Sequence, residues 1–180
     1  MKKSIRVGVT SWDASLPPET YFGYYQTRTL SPSEFRVFTP FYADILGENK
    51  ITYHTRTQEE FDRELSYAID AGIDYFAYVF YPDEGSREHI SLTYNDCAHR
   101  VYELNYARRM HESSTLRDKI GIAAIVSKHP FTDSDVNELV DLLGKPYYET
   151  YDGRPLVYLY VKINNELIEK IENECEARGI

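Results

Sequence analysis

The run Ile73-Asp74-Tyr75-Phe76-Ala77-Tyr78-Val79-Phe80-Tyr81 has almost no polar break, and that continuity constrains the fold more than any other feature. A strand with one wet face alternates apolar and polar residues, whereas a strand covered on both faces reads as a continuous apolar stretch. The run therefore predicts a central strand of a parallel sheet. Just before it, Thr57-Gln58-Glu59-Glu60 has the form of a capping box, in which hydroxyl and carboxylate each satisfy a free backbone N–H at a helix start. Phe61, Leu65, Ala68 and Ile69 then share one helical face, and Gly72 supplies a left-handed stop. One helix feeds one buried strand.

The same unit recurs. Ile5-Arg6-Val7-Gly8-Val9-Thr10-Ser11-Trp12 alternates β-formers and predicts a first strand. A helix over residues 95–111, with Val101, Leu104 and Ala107 or Arg108 along one side, precedes a second buried run, Ile120-Gly121-Ile122-Ala123-Ala124-Ile125-Val126. Thr132-Asp133-Ser134-Asp135 forms an acidic cap for a helix facing inward through Val136, Leu139, Val140 and Leu143 and stopping at Gly144. Asp152-Gly153 predicts a turn at positive φ before the strand Leu156-Val157-Tyr158-Leu159-Tyr160-Val161. A last helix from Asn165 to about Arg178 presents Leu167, Ile168 and Ile171.

Arg178-Gly179-Ile180 repeats the helix-to-strand passage of Ala71-Gly72-Ile73, which leads us to expect that the chain stops where another strand would begin. The expected fold class is α/β: parallel (β/α) units forming a partial TIM (β/α)8 barrel truncated after about four βα units. An open doubly wound sheet is the alternative. One domain spans residues 1–180, with an irregular, aromatic-rich insertion at about 13–56 that carries Gly23, Pro32, Pro40 and Gly47.

Charge and composition narrow the partners. With 29 Asp and Glu against 20 Lys and Arg the formal charge is -9, a field that repels polyanions, so neither nucleic acid nor an anionic membrane is an expected partner. Neutral or cationic small molecules fit better. Cys97 and Cys175 stand too far apart for a disulfide framework, and His54, His89, His99 and His111 show no zinc-ligand spacing. No Gly-rich phosphate loop and no Gly-x-Ser-x-Gly elbow occurs, so no cofactor is expected and serine-hydrolase chemistry is disfavoured. The residues after Met1-Lys2-Lys3 are too short and polar a stretch for a signal sequence, and no apolar run approaches the ~20 residues of a spanning helix, which makes the cytoplasm the default location.

Three segments in order carry a resemblance. Gly23-Tyr24-Tyr25, then Ala68-x-x-Ala71-Gly72-Ile73-Asp74-Tyr75-Phe76 leading into Tyr78-Val79-Phe80-Tyr81, then Tyr148-x-x-Tyr151-Asp152-Gly153-Arg154-Pro155-Leu156-Val157-Tyr158 resemble the successive signatures of glycoside hydrolase family 99-like proteins. The resemblance covers residues 5–162 and implies a (β/α)8 barrel acting on carbohydrate. The sequence departs from the family at the third strand end, where Val126-Ser127-Lys128-His129-Pro130 replaces a Trp-Ala-Asn-Glu-like segment. Roles tied to that segment do not transfer. The characterised hydrolases carry their catalytic carboxylates beyond the fourth strand, and the nearest acid here is Glu166 at a helix start, where an acid also suits the dipole.

In a barrel the residues at strand C-terminal ends line the site. The first strand ends in Trp12 and Asp13, a stacking platform beside a carboxylate, and the second in Tyr81-Pro82-Asp83-Glu84. Asp13, Asp83 and Glu84 are the candidate catalytic carboxylates, since glycoside hydrolysis needs two facing the bond at ~5–5.5 Å for retention or ~6.5–9.5 Å for inversion. Each also suits a solvated turn. Lys128 and His129 after the third strand offer a donor and a titratable imidazole, and Tyr160 near the end of the fourth faces either the site or the helices. With Trp12 and Tyr81 these are the candidate substrate-binding residues. No metal site is expected. The insertion, with Arg28 and Arg36 among aromatics, reads either as a wall over the mouth or as packing at the barrel's edge.

The leading expectation is thus a carbohydrate-active, glycoside hydrolase-like domain with a saccharide partner, hydrolysis and binding both being open. A non-catalytic assembly module, a homodimer pairing an exposed sheet edge with another chain, is the second expectation.

Overall fold

The structure, a computed structural model, describes residues 5–11, 21–52, 54, 56–82, 105–128, 130–161 and 163–180, with only the backbone of 21 and 22. Four strands, β1 (Gly8–Ser11), β4 (Tyr75–Phe80), β5 (Gly121–Val126) and β8 (Val157–Leu159), form one sheet in the order β1-β4-β5-β8. Every pair is parallel, with Thr10 opposite Ala77, Ala77 opposite Ala123, and Ile125 opposite Tyr158. Each new strand joins the same side of its predecessor. No reversal of order occurs among the described strands, so the crevice of a doubly wound sheet is absent from them.

The two faces of the sheet differ. Phe76, Tyr78 and Phe80 of β4 and Ile122, Ala124 and Val126 of β5 pack with residues from four helices. These are α2 (Gln58–Asp70), α3 (Tyr106–Ser113), α4 (Asp133–Leu143) and α5 (Asn165–Arg178). The opposite face gathers Tyr75, Ala77, Val79, Tyr81, Ala123 and Ile125 with Leu156 and, among the described residues, no helix residue. Burying each large side chain on the helical face contributes about 1.5–3 kcal/mol, which is why the apolar stripes of the helices choose that face together.

The caps foreseen from sequence form. Thr57 and Glu60 exchange bonds of 3.2 Å and 2.8 Å at the start of α2, and Thr132 and Asp135 do the same at α4, where the shorter aspartate closes the box. Gly72 and Gly179 both take positive φ, and Ile73 and Ile180 both donate back to the carbonyls of Ala68 and Cys175, so the two Gly-Ile passages are the same helix-ending motif. Gly144 ends α4 with φ of -81°, not left-handed; an added Cβ would instead lie 3.0 Å from Ile180 Cδ1. Asp152 and Gly153, at φ of 51° and 77°, turn the hairpin of β6 (Thr150–Tyr151) and β7 (Arg154–Pro155).

The expected irregular insertion is more regular than foreseen. It contains α1 (Tyr21–Leu30), a 3-10 turn (Ser33–Phe38) and a hairpin of β2 (Asp44–Gly47) and β3 (Lys50–Thr52). Thr27 and Thr29 in α1 and Ser31 just after it return their hydroxyls to the carbonyls of Gly23, Tyr25 and Thr27, which satisfies the hydroxyls in a helix of weak formers. The Arg36 guanidinium holds the carbonyls of Gly47 and Glu48, tying the 3-10 turn to the hairpin. Phe41 meets Tyr67 edge-on at 5.9 Å and Arg63 lies over the Phe41 ring, so these residues lean on α2. Among the described residues, no helix is long and apolar enough to cross a membrane.

Candidate functional site

The register that aligns the four strands also aligns the residues just past their C-terminal ends. Phe80 lies opposite Val126 and Val126 opposite Leu159, so one step further Tyr81, Ser127 and Tyr160 form a row across three strand ends. Alternation puts that row on the helix-free face, with Ala77, Val79, Ala123 and Ile125. This resolves the orientation of Tyr160, whose amide donates to Val126 O at 2.8 Å. Tyr81 is buried and Tyr160 exposed, so the row grades from the core to solvent.

Each member is held differently. The Asn105 side chain treats the Tyr81 backbone as a neighbouring strand would: Tyr81 N donates to Oδ1 at 3.0 Å and Nδ2 donates to Tyr81 O at 2.7 Å. Asn105 itself stands at φ of 67°, a conformation asparagine tolerates better than most residues. Ser127 is buried, and its hydroxyl has no hydrogen-bond partner among the described residues. Val161, next to Tyr160, holds φ of 62°, a genuine outlier for a β-branched side chain. Such strain costs about 1–3 kcal/mol and concentrates at sites.

The sequence candidates divide between this row and other parts of the chain. Tyr81 and Tyr160 share the row. Lys128 is exposed one step beyond Ser127 and lines a separate cleft of about 450 Å³ with Phe131, Ile163, Glu166 and Lys170. Glu166 is occupied at the start of α5, where Asn164 Nδ2 donates to it at 3.1 Å. Trp12, Asp13, Asp83, Glu84 and His129 lie outside the described residues, as does Cys97. His111 is fully buried between α3 and the sheet, bonded to the Tyr78 hydroxyl at 2.9 Å and to Ile120 O at 3.0 Å. Desolvation pushes its pKa down to about 4, so it is a neutral core histidine.

Sequence reasoning missed Asn105, Ser127 and a second group of residues. At the other end of the strands a cleft of about 1160 Å³ is lined by Arg6, Asp74, Tyr75, Gly121, Glu149 and Tyr158 among others. Arg6 binds Glu149 with Nε at 3.0 Å and Nη2 at 2.5 Å, and Asp74 with Nη1 at 3.3 Å; Asp74 in turn accepts from Val7 N at 2.6 Å. Arg6 thus ties two carboxylates from distant parts of the chain to the start of β1, and in parallel sheets sites gather at the opposite, C-terminal ends. The larger cleft is thus a structural latch, and the Tyr81-Ser127-Tyr160 row is the candidate site. The expected helix over residues 95–111 ran straight through Asn105, which instead stands left-handed just before α3, and nothing in the sequence told that its amide is used on Tyr81.

The fold and its strand-end row define a parallel α/β protein. No family model, no curated protein and no solved structure matches the chain.

Proposed function

We propose that this chain is a carbohydrate-active, glycoside hydrolase-like domain, built as part of a (β/α) barrel, that receives a saccharide at the C-terminal ends of its parallel strands. The observation that carries the reading is the Tyr81-Ser127-Tyr160 row at the strand ends of a sheet whose helices, among the described residues, pack on the other face. One-sided helices and strands in sequential order suit a barrel, because a closed sheet hides one face inside itself. Sugars present flat C–H faces and rings of hydroxyls, and tyrosine offers an apolar face with a polar tip. A formal charge of -9 favours a neutral or cationic glycan over an acidic one. The resemblance of the segments around Gly72 and Asp152 to family 99-like glycoside hydrolases supports the same class.

In this reading Tyr81 and Tyr160 offer faces and hydroxyls to the sugar, Trp12 is a further stacking candidate, His129 supplies a donor, and Asp13 with Asp83 or Glu84 supplies carboxylates for hydrolysis, while Lys128, on its separate cleft, is left out. The test is titration of a glycan array with the wild-type chain and with Tyr160→Ala and Trp12→Ala. Affinity should fall about tenfold in each variant, the loss of about one stacking contact. Wild-type protein that binds no glycan ends the saccharide reading. Bound glycan that gains reducing ends, and stops doing so in Asp13→Asn, marks a hydrolase; bound glycan that stays intact marks a binding domain.

A further inference from the structure

Buried hydroxyls in this chain are put to use. The Tyr78 hydroxyl is bonded to His111, the Tyr148 hydroxyl accepts from Ala124 N and donates to Leu156 O, both at 2.8 Å, and Ser114 Oγ accepts from Leu116 N at 3.0 Å. Ser127 departs from the pattern. It is 7% exposed, and among the described residues that are buried as a whole it alone holds a buried hydroxyl without a partner. Native proteins leave few such groups, and those they leave have a cause.

The groups around Ser127 are already committed. Asn105 takes both the amide and the carbonyl of Tyr81 on one side of the row, and Val126 O takes the amide of Tyr160 on the other. Strand alternation turns the serine toward the face of Val79, Ala123 and Ile125, whose side chains carry no polar atom. The hydroxyl thus stands on an apolar face beside the exposed Tyr160.

We propose that the Ser127 hydroxyl is the row's hydrogen-bonding contact to the saccharide, donating to one sugar hydroxyl and accepting from a second, while Tyr160 takes the apolar face of the ring. The inference rests on the saccharide reading and deepens it by naming the group on the substrate. A serine hydroxyl donates one proton and accepts through two lone pairs, as a sugar hydroxyl does. Carboxylates and phosphates only accept, and Tyr81, Ser127 and Tyr160 hold no charge to retain them, so the ligand at the row is an uncharged ring with free hydroxyls. Stacking on tyrosine tolerates many sugars. A hydroxyl held in place does not, because a substrate lacking the matching group leaves it unpaired. Ser127 has also lost its water during folding, so the bond to the sugar costs only the water of the sugar.

Ser127→Ala tests this through two readouts on the full chain, urea unfolding without ligand and titration with neutral hexose and pentose oligosaccharides. A hydroxyl with no partner in the fold adds nothing to stability, so the urea midpoint should equal or exceed that of the wild type. Affinity for the glycan that binds should fall about three- to tenfold, the worth of one neutral hydrogen bond. One monodeoxy analogue of that glycan should bind the wild type more weakly by the same factor, yet bind Ser127→Ala as well as the parent glycan does. A urea midpoint that drops in Ser127→Ala reveals a partner inside the fold and overturns the contact. Glycan bound equally by both chains also overturns it and leaves the saccharide reading standing; a wild type that binds no glycan removes the two together.

Discussion

Tyr75 and Tyr158 meet hydroxyl to hydroxyl at 2.5 Å across β5, and by register Ala123, fully buried, lies midway between their levels. A larger side chain at that alanine would strike the arch. Gly8 serves the same pair from the edge strand, since an added Cβ would sit 2.2 Å from Tyr75 Cζ.

Burial, then the bond to Tyr158, pushes the Tyr75 phenol up to about 12. Spectrophotometric titration should therefore show a late-ionising tyrosine that moves toward ordinary values in Tyr158→Phe. Each single Phe variant should lose about 1 kcal/mol in urea unfolding, and the double variant less than the sum, because no hydroxyl is then left stranded. Strict additivity would mean the two phenols do not interact.

His111 couples folding to pH. Its folded pKa is lowered to about 4 from 6.5, so the unfolded chain takes up a proton first as pH falls. Its contribution is fully present above pH 6.5 and is lost between 6.5 and 4, on the order of 3 kcal/mol in all. Urea midpoints measured across that window should fall with acid, and His111→Leu should flatten this part of the slope. The same variant should be less stable at neutral pH by about 1–3 kcal/mol, having removed the buried bonds to the Tyr78 hydroxyl and to Ile120 O.

Arg6 and Glu149 are unequally buried, with side-chain exposures of 50% and 8%. Removing the arginine leaves a carboxylate stranded in the fold, whereas removing the carboxylate leaves a guanidinium half in water beside Asp74. Arg6→Ala should therefore destabilise more than Glu149→Gln, by about 1–2 kcal/mol against less than 1, the pair being partly screened by solvent. Thermal unfolding of both variants checks the order.

Asn105 combines a left-handed backbone with two buried bonds to Tyr81. Asn105→Ala loses the bonds and strains the backbone, while Asn105→Gly loses only the bonds. Alanine should cost about 1 kcal/mol more than glycine in denaturant melts, the reverse of their order inside a helix.

Local chemistry was legible wherever a few neighbouring residues decide the outcome. The capping boxes at Thr57 and Thr132, the positive φ of Gly72, Asp152 and Gly153, and the span of α5 all reflect side chains within one turn of the position they fix. Strand ends were less legible: the first strand was expected over residues 5–12 and covers Gly8–Ser11, and the fourth shrinks to Val157–Leu159. Among the described residues both are edge strands, whose length is set by how much of one neighbour they meet. The helix α1 was hidden because Gly23 and its aromatic and β-branched residues are weak helix formers.

By itself the sequence determined that buried parallel strands alternate with capped helices, because hydrophobic period and capping chemistry act over a few residues. Only the tertiary structure decided that the helices share one face, that Tyr160 turns away from them to stand in line with Tyr81 and Ser127, and that Arg6 finds Glu149. Those outcomes depend on strand register and on contacts between residues far apart in the chain, as far as 143 positions for Arg6 and Glu149, and no local pattern of side chains encodes such distances.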